Sequence, residues 1–310
     1  MKIIKHIESV PENHKTIMTL GMFDGVHKGH QEIIRYLNKK VSNSNEKSCL
    51  LTFWPHPRFA LNQDNDLKLL TLPKEKLDLL SEFNLDILYI QDFNQEFSGL
   101  TAIEFVEDFI IKKLNVKTLI IGHDHRFGKN REGNFDLLND LSKLYGFELI
   151  RLEAIFKNDI PISSTKIRNA LRNGNLSYAN EALGYFYRIN GQVIHGDGIG
   201  KTLGFPTINL NVNPLKLLPK DGVYGVKLIL NHKTYHGLLN IGTRPTLNKT
   251  EHRIEVYILD FEDDLYNKDV QIELKIRIRD EQKFENKEEL IHQIKNDEIF
   301  FRNYLSKINH

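Results

Sequence analysis

The stretch TLGMFDGVHKGHQEII, Thr19–Ile34, runs an apolar segment into a glycine-punctuated turn and then into an amphipathic run. An apolar run ending at Leu20, glycines at 21, 25 and 29 and helical spacing from His30 make the first half of a βαβ unit. The start of such a helix, with its unpaired N–H groups and positive dipole end, is an anion site. His27 and His30 stand three residues apart at that start. As hydrogen-bond donors they can follow charge developing on a phosphate, and a nucleoside triphosphate is the natural occupant. On these residues alone, two turn-and-cap histidines are an equal alternative; a metal is a weaker one, since no third ligand is placed nearby.

The same alternation continues outward to about residue 155. TIMTLG, SCLLTFW, DILYIQDF, KTLIIGHD and FELIRLE read as strands, with helices predicted over 30–40, 74–83, 101–114 and 135–145, the third opened by a Thr101/Glu104 capping box. A doubly wound α/β domain, its parallel sheet covered on both faces, follows. Two further helices, 164–172 and 176–183, precede Gly184, where the texture changes. RINGQVIHG, TINLNV, VYGVKLIL, TYHGLLNIG, RIEVYILDF and VQIELKIRI, spaced by Gly, Asn, Asp and Pro, predict a small antiparallel barrel, and a charged helix over 287–305 finishes the chain. The expected division is 1–184 and 185–310.

At 310 residues the chain has length for two cores. A formal net charge of +1 with 27% charged residues gives no global field for nucleic acid or a membrane surface. The single cysteine, Cys49, lies in the apolar run SCLLTF and reads as a buried thiol in a reducing compartment. Charges interrupt the N-terminal MKIIKHIESVPENHK before a signal-peptide core can form, and no run approaches the ~20 apolar residues of a spanning helix. A cytoplasmic location is expected; nothing in the sequence speaks to an oligomeric state.

At 163–168, SSTKIR brings hydroxyls and two cations to another helix start, suited to the opposite side of a phosphate chain. His-x-Gly-His after a first strand with a late Ser-Ser-Thr-x-x-Arg segment resembles the nucleotidyltransferase superfamily that includes class I aminoacyl-tRNA synthetases. The resemblance implies a Rossmann-like fold and adenylyl transfer without a protein nucleophile, by positioning and electrostatics. A nearly neutral chain ending in a compact barrel favours a small acceptor over tRNA.

GQVIHGDGIGKTLGFPTINL, residues 191–210, imitates two phosphate loops and is neither. The spacing from Gly196 to Gly200 is one residue short for a P-loop, Phe205-Pro206 blocks the helix that should follow, and GDGIG lacks the helix of a dinucleotide turn. What remains is a glycine-rich flap and an extended segment in which Thr207 and Asn209 share a face. Their hydroxyl and amide oxygens form a hard-oxygen set suited to Mg²⁺ beside substrate phosphates; a hydrogen-bonded turn is the plainer reading. GFPTINL, DGVYGV, NIGTRPT, EVYILDFEDDLY and IRDEQKF, in that order, resemble bacterial riboflavin kinase domains. TFWPHPRF, GHDHRFGKNREGN and ISSTKIR, with GMFDGVHKGH, resemble the companion FMN adenylyltransferase module. From roughly 15 to 306 the chain is similar to the bifunctional bacterial riboflavin kinase/FAD synthetase family.

That resemblance implies two ATP-consuming, Mg²⁺-dependent steps, riboflavin to FMN and FMN to FAD. It places His27, His30 and Arg168 as catalytic groups on ATP phosphates, with Gly21, Phe23, Asp24, Gly29, Ser164 and Thr165 around the nucleotide. His56, Pro57, Phe59, Asp124, Arg126 and Phe127 would line the flavin side of the adenylyltransferase site, where His125 stands in place of the family's Phe and offers a weaker apolar face. In the kinase half, Thr207 and Asn209 would hold Mg²⁺, and Gly196, Gly200, Lys201 and Thr207 would contact ATP. Glu255 would be general base on the ribityl 5′-hydroxyl, and Arg279 would lie near the flavin. Lys201 stands where the family often has arginine, a point charge in place of a fork. The alternatives are an adenylyltransferase for another small acceptor, against which PTIN and EVY argue, and a flavin-binding regulator that has lost catalysis, against which the presence of all five key residues argues.

Overall fold

The computed structural model describes residues 1–5, 15–61, 64, 66–123, 125–157, 159–196, 199–230, 233–245, 250–261 and 263–308, with the backbone only at 199, 201, 243–245 and 250–252. The chain forms two compact units, Met1–Ser164 and Thr165–His310.

In the first unit, β1 (Lys2–Ile4), β2 (Thr16–Leu20), β3 (Lys47–Trp54), β4 (Ile87–Asp92), β5 (Val116–Gly122) and β6 (Glu148–Leu152) form one parallel sheet in the order β1-β4-β3-β2-β5-β6. Its helices are α1 (Lys28–Val41), α2 (Pro57–Ala60), α3 (Pro73–Ser81), α4 (Gln95–Gly99), α5 (Ala102–Glu104) and α6 (Phe135–Tyr145). All five residues of β2 are buried, as a central parallel strand requires. From β2 the sheet grows through β3 and β4 on one side and through β5 and β6 on the other. The crevice at the carboxyl ends of β2 and β5 is therefore the topological switch point, where open α/β sheets bind ligands.

Each of the five strands and four helices predicted for this unit is present, with two differences. β1, which pairs with β4 at the sheet edge, was not anticipated: it has three residues, of which only Ile4 is buried, too few to show a period. The helix expected over 101–114 opens on the anticipated capping box, with Thr101 N–H donating to Glu104 Oε2 at 2.8 Å and Glu104 N–H to Thr101 Oγ1 at 3.2 Å. After α5, however, it widens to π turns over Phe105–Lys113, which stack the rings of Phe105 and Phe109 while Phe97 packs edge-on at 4.9 Å. A short hairpin, β7 (Phe156–Lys157) and β8 (Ile160–Pro161), closes the unit.

The second unit begins with α7 (Ser164–Arg172), which spans the division, and α8 (Leu176–Leu183). β9 (Arg188–Ile194), α9 (Ile199–Thr202), β10 (Thr207–Val212), β11 (Gly222–Leu230), β12 (Lys233–Pro245), β13 (Thr250–Ile258), β14 (Asp269–Arg279) and α10 (Lys287–Ile308) follow. The six strands close an antiparallel barrel in the order β10-β13-β12-β11-β14-β9. α10 seals one face: Phe301 is fully buried, and β11 passes beneath it on Gly225, where a Cβ would occupy the space of the ring.

The compact units divide twenty residues before the textural change at Gly184, because α7 and α8 are bonded to the barrel. Lys220 N–H donates to the Leu171 carbonyl at 2.9 Å, Asn180 Nδ2 donates to the Leu274 carbonyl at 3.0 Å, and Asn180 Oδ1 accepts from Tyr187 N–H at 2.8 Å. Periodicity marks where strands begin; it does not register which core a preceding helix serves.

Candidate active sites

The β2–α1 turn at the switch point is built from strained backbone. Phe23 (φ 48°) and buried Val26 (φ 36°) lie in the left-handed region beside Gly25 (φ 83°), a conformation that a β-branched residue holds only under tertiary constraint. The constraint comes from the segment leading into α3. The buried Asp24 carboxylate accepts from Leu70 N–H (3.1 Å), Thr71 N–H (2.9 Å) and Thr71 Oγ1 (3.1 Å), and Thr71 Oγ1 accepts from Gly25 N–H (2.9 Å). Asp24 thus shapes the turn, and its charge is committed to amides and a hydroxyl. Ser164 Oγ donates to the Asp24 carbonyl at 2.9 Å, which ties the start of α7 to the same loop.

His27 is the N-cap of α1, its Nδ1 accepting from His30 N–H at 3.4 Å, which leaves its proton on Nε2. The two imidazoles stack at 3.6 Å between centroids, and Phe23 packs against His30 at 4.9 Å. Gly29 admits the stack, since a Cβ there would meet the His27 ring at 3.2 Å. Burial first, then His27 and Lys76, hold the His30 pKa well below the ordinary 6.5, so the ring is neutral at pH 7. His30 Nδ1 is buried with no hydrogen-bond partner among the described residues. The cap reading holds for His27, which closes the helix, while His30 keeps a buried polar atom without a partner among the described residues at the same helix start. Gly21 lies at ordinary contact distance from the Phe23 ring. Thr165 is exposed and Arg168 buried, and both fall in the second unit.

The structure adds a residue not singled out from the sequence. Lys76 of α3 is buried, and its Nζ donates to the Met22 carbonyl (3.0 Å) and Thr52 Oγ1 (3.3 Å). Burial pulls its pKa down to about 8 against the attraction of Asp24. The available signal was its place on the apolar stripe that also carries Leu79 and Leu80.

Of the residues expected on the flavin side, His56 is buried and caps α2, its Nδ1 accepting from Arg58 N–H at 3.2 Å, with Pro57 opening that turn and Phe59 edge-on at 5.8 Å. Arg126 is exposed. Phe127 is buried in the core beneath His125, the rings parallel at 6.0 Å, so the partly exposed His125 presents the outer face. Asp124 lies outside the described residues.

In the barrel, Thr207 and Asn209 sit on β10 with side chains on one face, as their spacing predicts. Glu255 of β13 is the cross-strand partner of Asn209, and Tyr257 that of Thr207. Directly opposed residues project to the same side of a sheet, so the amide, the hydroxyl and the carboxylate share one surface. Glu255 also faces Arg253, whose Nη1 is 3.7 Å from its Oε1. The flap backs onto this surface: a Cβ at Gly196 would collide with the Asn209 side chain, and one at Gly200 would collide with the Phe205 carbonyl and lie 3.1 Å from Thr207 Oγ1. Glycine is needed there because the backbone lies against the oxygen donors. Lys201 lies in α9, its side chain outside the description. Arg279 is engaged elsewhere: its guanidinium grips the buried Asp297 of α10, with Nε 2.9 Å from Oδ2 and 3.1 Å from Oδ1, and Nη2 2.9 Å from Oδ2.

Comparison with known proteins agrees with both halves. The family model for FAD synthetase matches residues 9–166, and that for riboflavin kinase matches 183–305. The bifunctional riboflavin kinase/FMN adenylyltransferase of Escherichia coli K12 is 38% identical over 309 residues, covering 98% of each chain. The Bacillus subtilis protein of the same name is 37% identical, covering 96% of this chain and 95% of its own. A crystal structure described as a macrolide-efflux protein from Streptococcus pneumoniae superposes with a TM-score of 0.88 at 34% identity, over 97% of this chain and 98% of that one. Among the described residues no helix is long and apolar enough to cross a membrane.

Proposed function

We propose, from the premise that this chain belongs to the bifunctional riboflavin kinase/FMN adenylyltransferase family, an assignment of its two reactions to named residues. The chain phosphorylates riboflavin to FMN and adenylylates FMN to FAD, each step consuming ATP. The assignment gives adenylyl transfer to residues 1–184 and phosphoryl transfer to residues 185–310.

In the first reaction a phosphate oxygen of FMN attacks the α-phosphorus of ATP and pyrophosphate departs. The start of α1 receives the triphosphate on its free N–H groups, with His27 and His30 as donors to the oxygens that gain charge. Ser164, Thr165 and Arg168 act on the pyrophosphate side, Gly21, Phe23, Asp24 and Gly29 shape the nucleotide pocket, and His56, Pro57, Phe59, Arg126 and Phe127 frame the flavin. In the second reaction Glu255 takes the proton of the ribityl 5′-hydroxyl as that oxygen attacks the γ-phosphorus of ATP, the bond to the bridging oxygen breaks and ADP departs.

Thr207 and Asn209 are the groups that would hold Mg²⁺; the donor chemistry fits, and glycine at 196 and 200 lets the flap backbone lie close against them. Bound there, Mg²⁺ would supply charge neutralisation to the transferring phosphoryl group. The observation that carries the reading is the direct cross-strand pairing of Asn209 with Glu255 under the glycine flap, which joins a metal oxygen to a base on one surface. A buried Cys49 thiol, pushed up to about 12 by desolvation, suits a reducing cytoplasm, and small-molecule substrates suit a chain of near-zero net charge.

The test is chromatographic: purified protein with riboflavin, ATP and Mg²⁺, sampled over time. FMN rising first and FAD following supports both assignments. FMN accumulating without FAD would remove the role given to the α1 site.

A further inference from the structure

We propose that Lys76 is a positioning residue for adenylyl transfer, holding the residue 22–25 turn from beneath through the Met22 carbonyl and setting a buried positive charge under the triphosphate. The inference rests on the assignment of His27 and His30 to ATP.

Three observations carry it. First, Lys76 is a buried ammonium that donates to two neutral oxygens, Met22 O at 3.0 Å and Thr52 Oγ1 at 3.3 Å, with no carboxylate in ion-pair distance among the described residues. Burying a cation without a counter-ion is costly, and a protein that needed only a hydrogen-bond donor there could use a neutral one. An anionic ligand would offset that cost. Second, the Met22 carbonyl also accepts from Thr52 Oγ1 at 3.2 Å, so β3, α3 and the turn meet at one point. This point lies one residue before Phe23 and four before Val26, the two residues at positive φ that need an external hold. Third, the charge of Lys76 reaches His30, whose pKa it depresses together with burial and His27. The groups facing Lys76 are Met22 and Asp24 of the turn, Thr52 of β3, Glu75 on its own helix, committed to the Leu72 N–H, and the two histidines of α1. Asp24 supplies negative charge that favours the ammonium, and its oxygens accept from Leu70 and Thr71.

Lys76→Met keeps the apolar stem and removes the charge and the donor. In the full chain we expect kcat/KM for ATP in FAD synthesis from supplied FMN to fall at least tenfold, riboflavin phosphorylation to stay within twofold, and the His30 titration midpoint, followed by NMR of its ring Cε1–H, to move up. A lysine that held the turn only through its hydrogen bonds, with no charge felt at the site, would not move that midpoint. FAD synthesis within twofold of the parent, or an unshifted His30, overturns the proposal. Should Lys76→Met fail to fold, the unaltered protein decides. On addition of α,β-methylene-ATP, the most depressed lysine ¹⁵Nζ titration should rise, and an unchanged midpoint overturns the proposal. A His30→Ala chain that still makes FAD would sink the underlying site reading. Parent-level synthesis by Lys76→Met beside an inactive His30→Ala sinks the lysine proposal alone.

Discussion

Replacing Asp297 by Asn should unseat α10 from the barrel. Asp297 is 3% exposed, and its two oxygens take three contacts of 2.9–3.1 Å from Arg279 and one of 2.8 Å from Gln293 Nε2. Asn preserves shape and removes the charge, leaving a largely buried guanidinium facing a neutral amide. Breaking a buried pair from one side costs roughly 3–5 kcal/mol. The Arg279 side chain keeps 15% exposure, so water reaches it in part and the low end, about 3 kcal/mol, applies. At about 2–4 °C per kcal/mol for a unit near 150 residues, the unfolding transition of the barrel unit in differential scanning calorimetry should drop by roughly 6–12 °C. Loss of riboflavin phosphorylation on heating should move with it, while FAD synthesis from supplied FMN keeps its parental profile. A transition within about 2 °C of the parent would refute the reasoning, since it would mean that the pair is too well hydrated to matter. The same logic assigns Arg279 to seating α10: Arg279→Ala should destabilise the barrel unit before it alters flavin affinity.

His30→Ala should cut FAD formation about 10²–10³-fold, the usual loss for one donor to developing charge, and leave FMN formation intact; equal loss of both steps would defeat the two-site scheme. Glu255→Ala should slow riboflavin phosphorylation by about 10²–10⁴ and spare adenylylation of supplied FMN, and phosphorylation at the parent rate would remove Glu255 as base. Because the folded pKa of His30 lies below 6.5, the unfolded chain binds the proton first as pH falls, so the first unit loses stability from about pH 6.5 downward. Urea midpoints at pH 7.5 and 5.5 should show that fall, and His30→Gln should reduce it; a flat profile would contradict the buried, neutral ring.

Much of this was readable where a residue's role is local. Strand and helix runs such as TINLNV over 207–212 and FDLLNDLSKLY over 135–145 coincide with β10 and α6, because period and caps are written within each element. Spacing also put Thr207 and Asn209 on one face, and motif resemblance named Glu255. Their meeting could not be read, since it depends on the register of β10 against β13, a pairing between strands far apart in sequence. Lys76 was illegible for the opposite reason: a lysine on an apolar stripe looks like a solvated residue that strayed, and only the Met22 carbonyl above it gives it a task. Phe127 and Arg279 make contacts that their motifs do not show. One is core beneath His125 and the other is tied to α10, contacts made with residues outside their own motifs.

The two sites differ in a way that the two acceptors explain. A phosphate monoester has its second pKa near 6, so FMN arrives at the first site already ionised at pH 7 and needs no base. On the proposed assignment the described residues there match that need: His30 is held neutral, and Asp24, the one carboxylate in the turn, has both oxygens turned to the amides of Leu70 and Thr71. The ribityl hydroxyl of riboflavin, by contrast, keeps its proton at pH 7 and must surrender it as it attacks, so the second site needs a base where the first needs only donors. Glu255 stands opposite Asn209 with Arg253 3.7 Å away, a carboxylate left on the working surface and not consumed by backbone amides. On that assignment, exchanging the acceptors would leave each site without the group its chemistry requires.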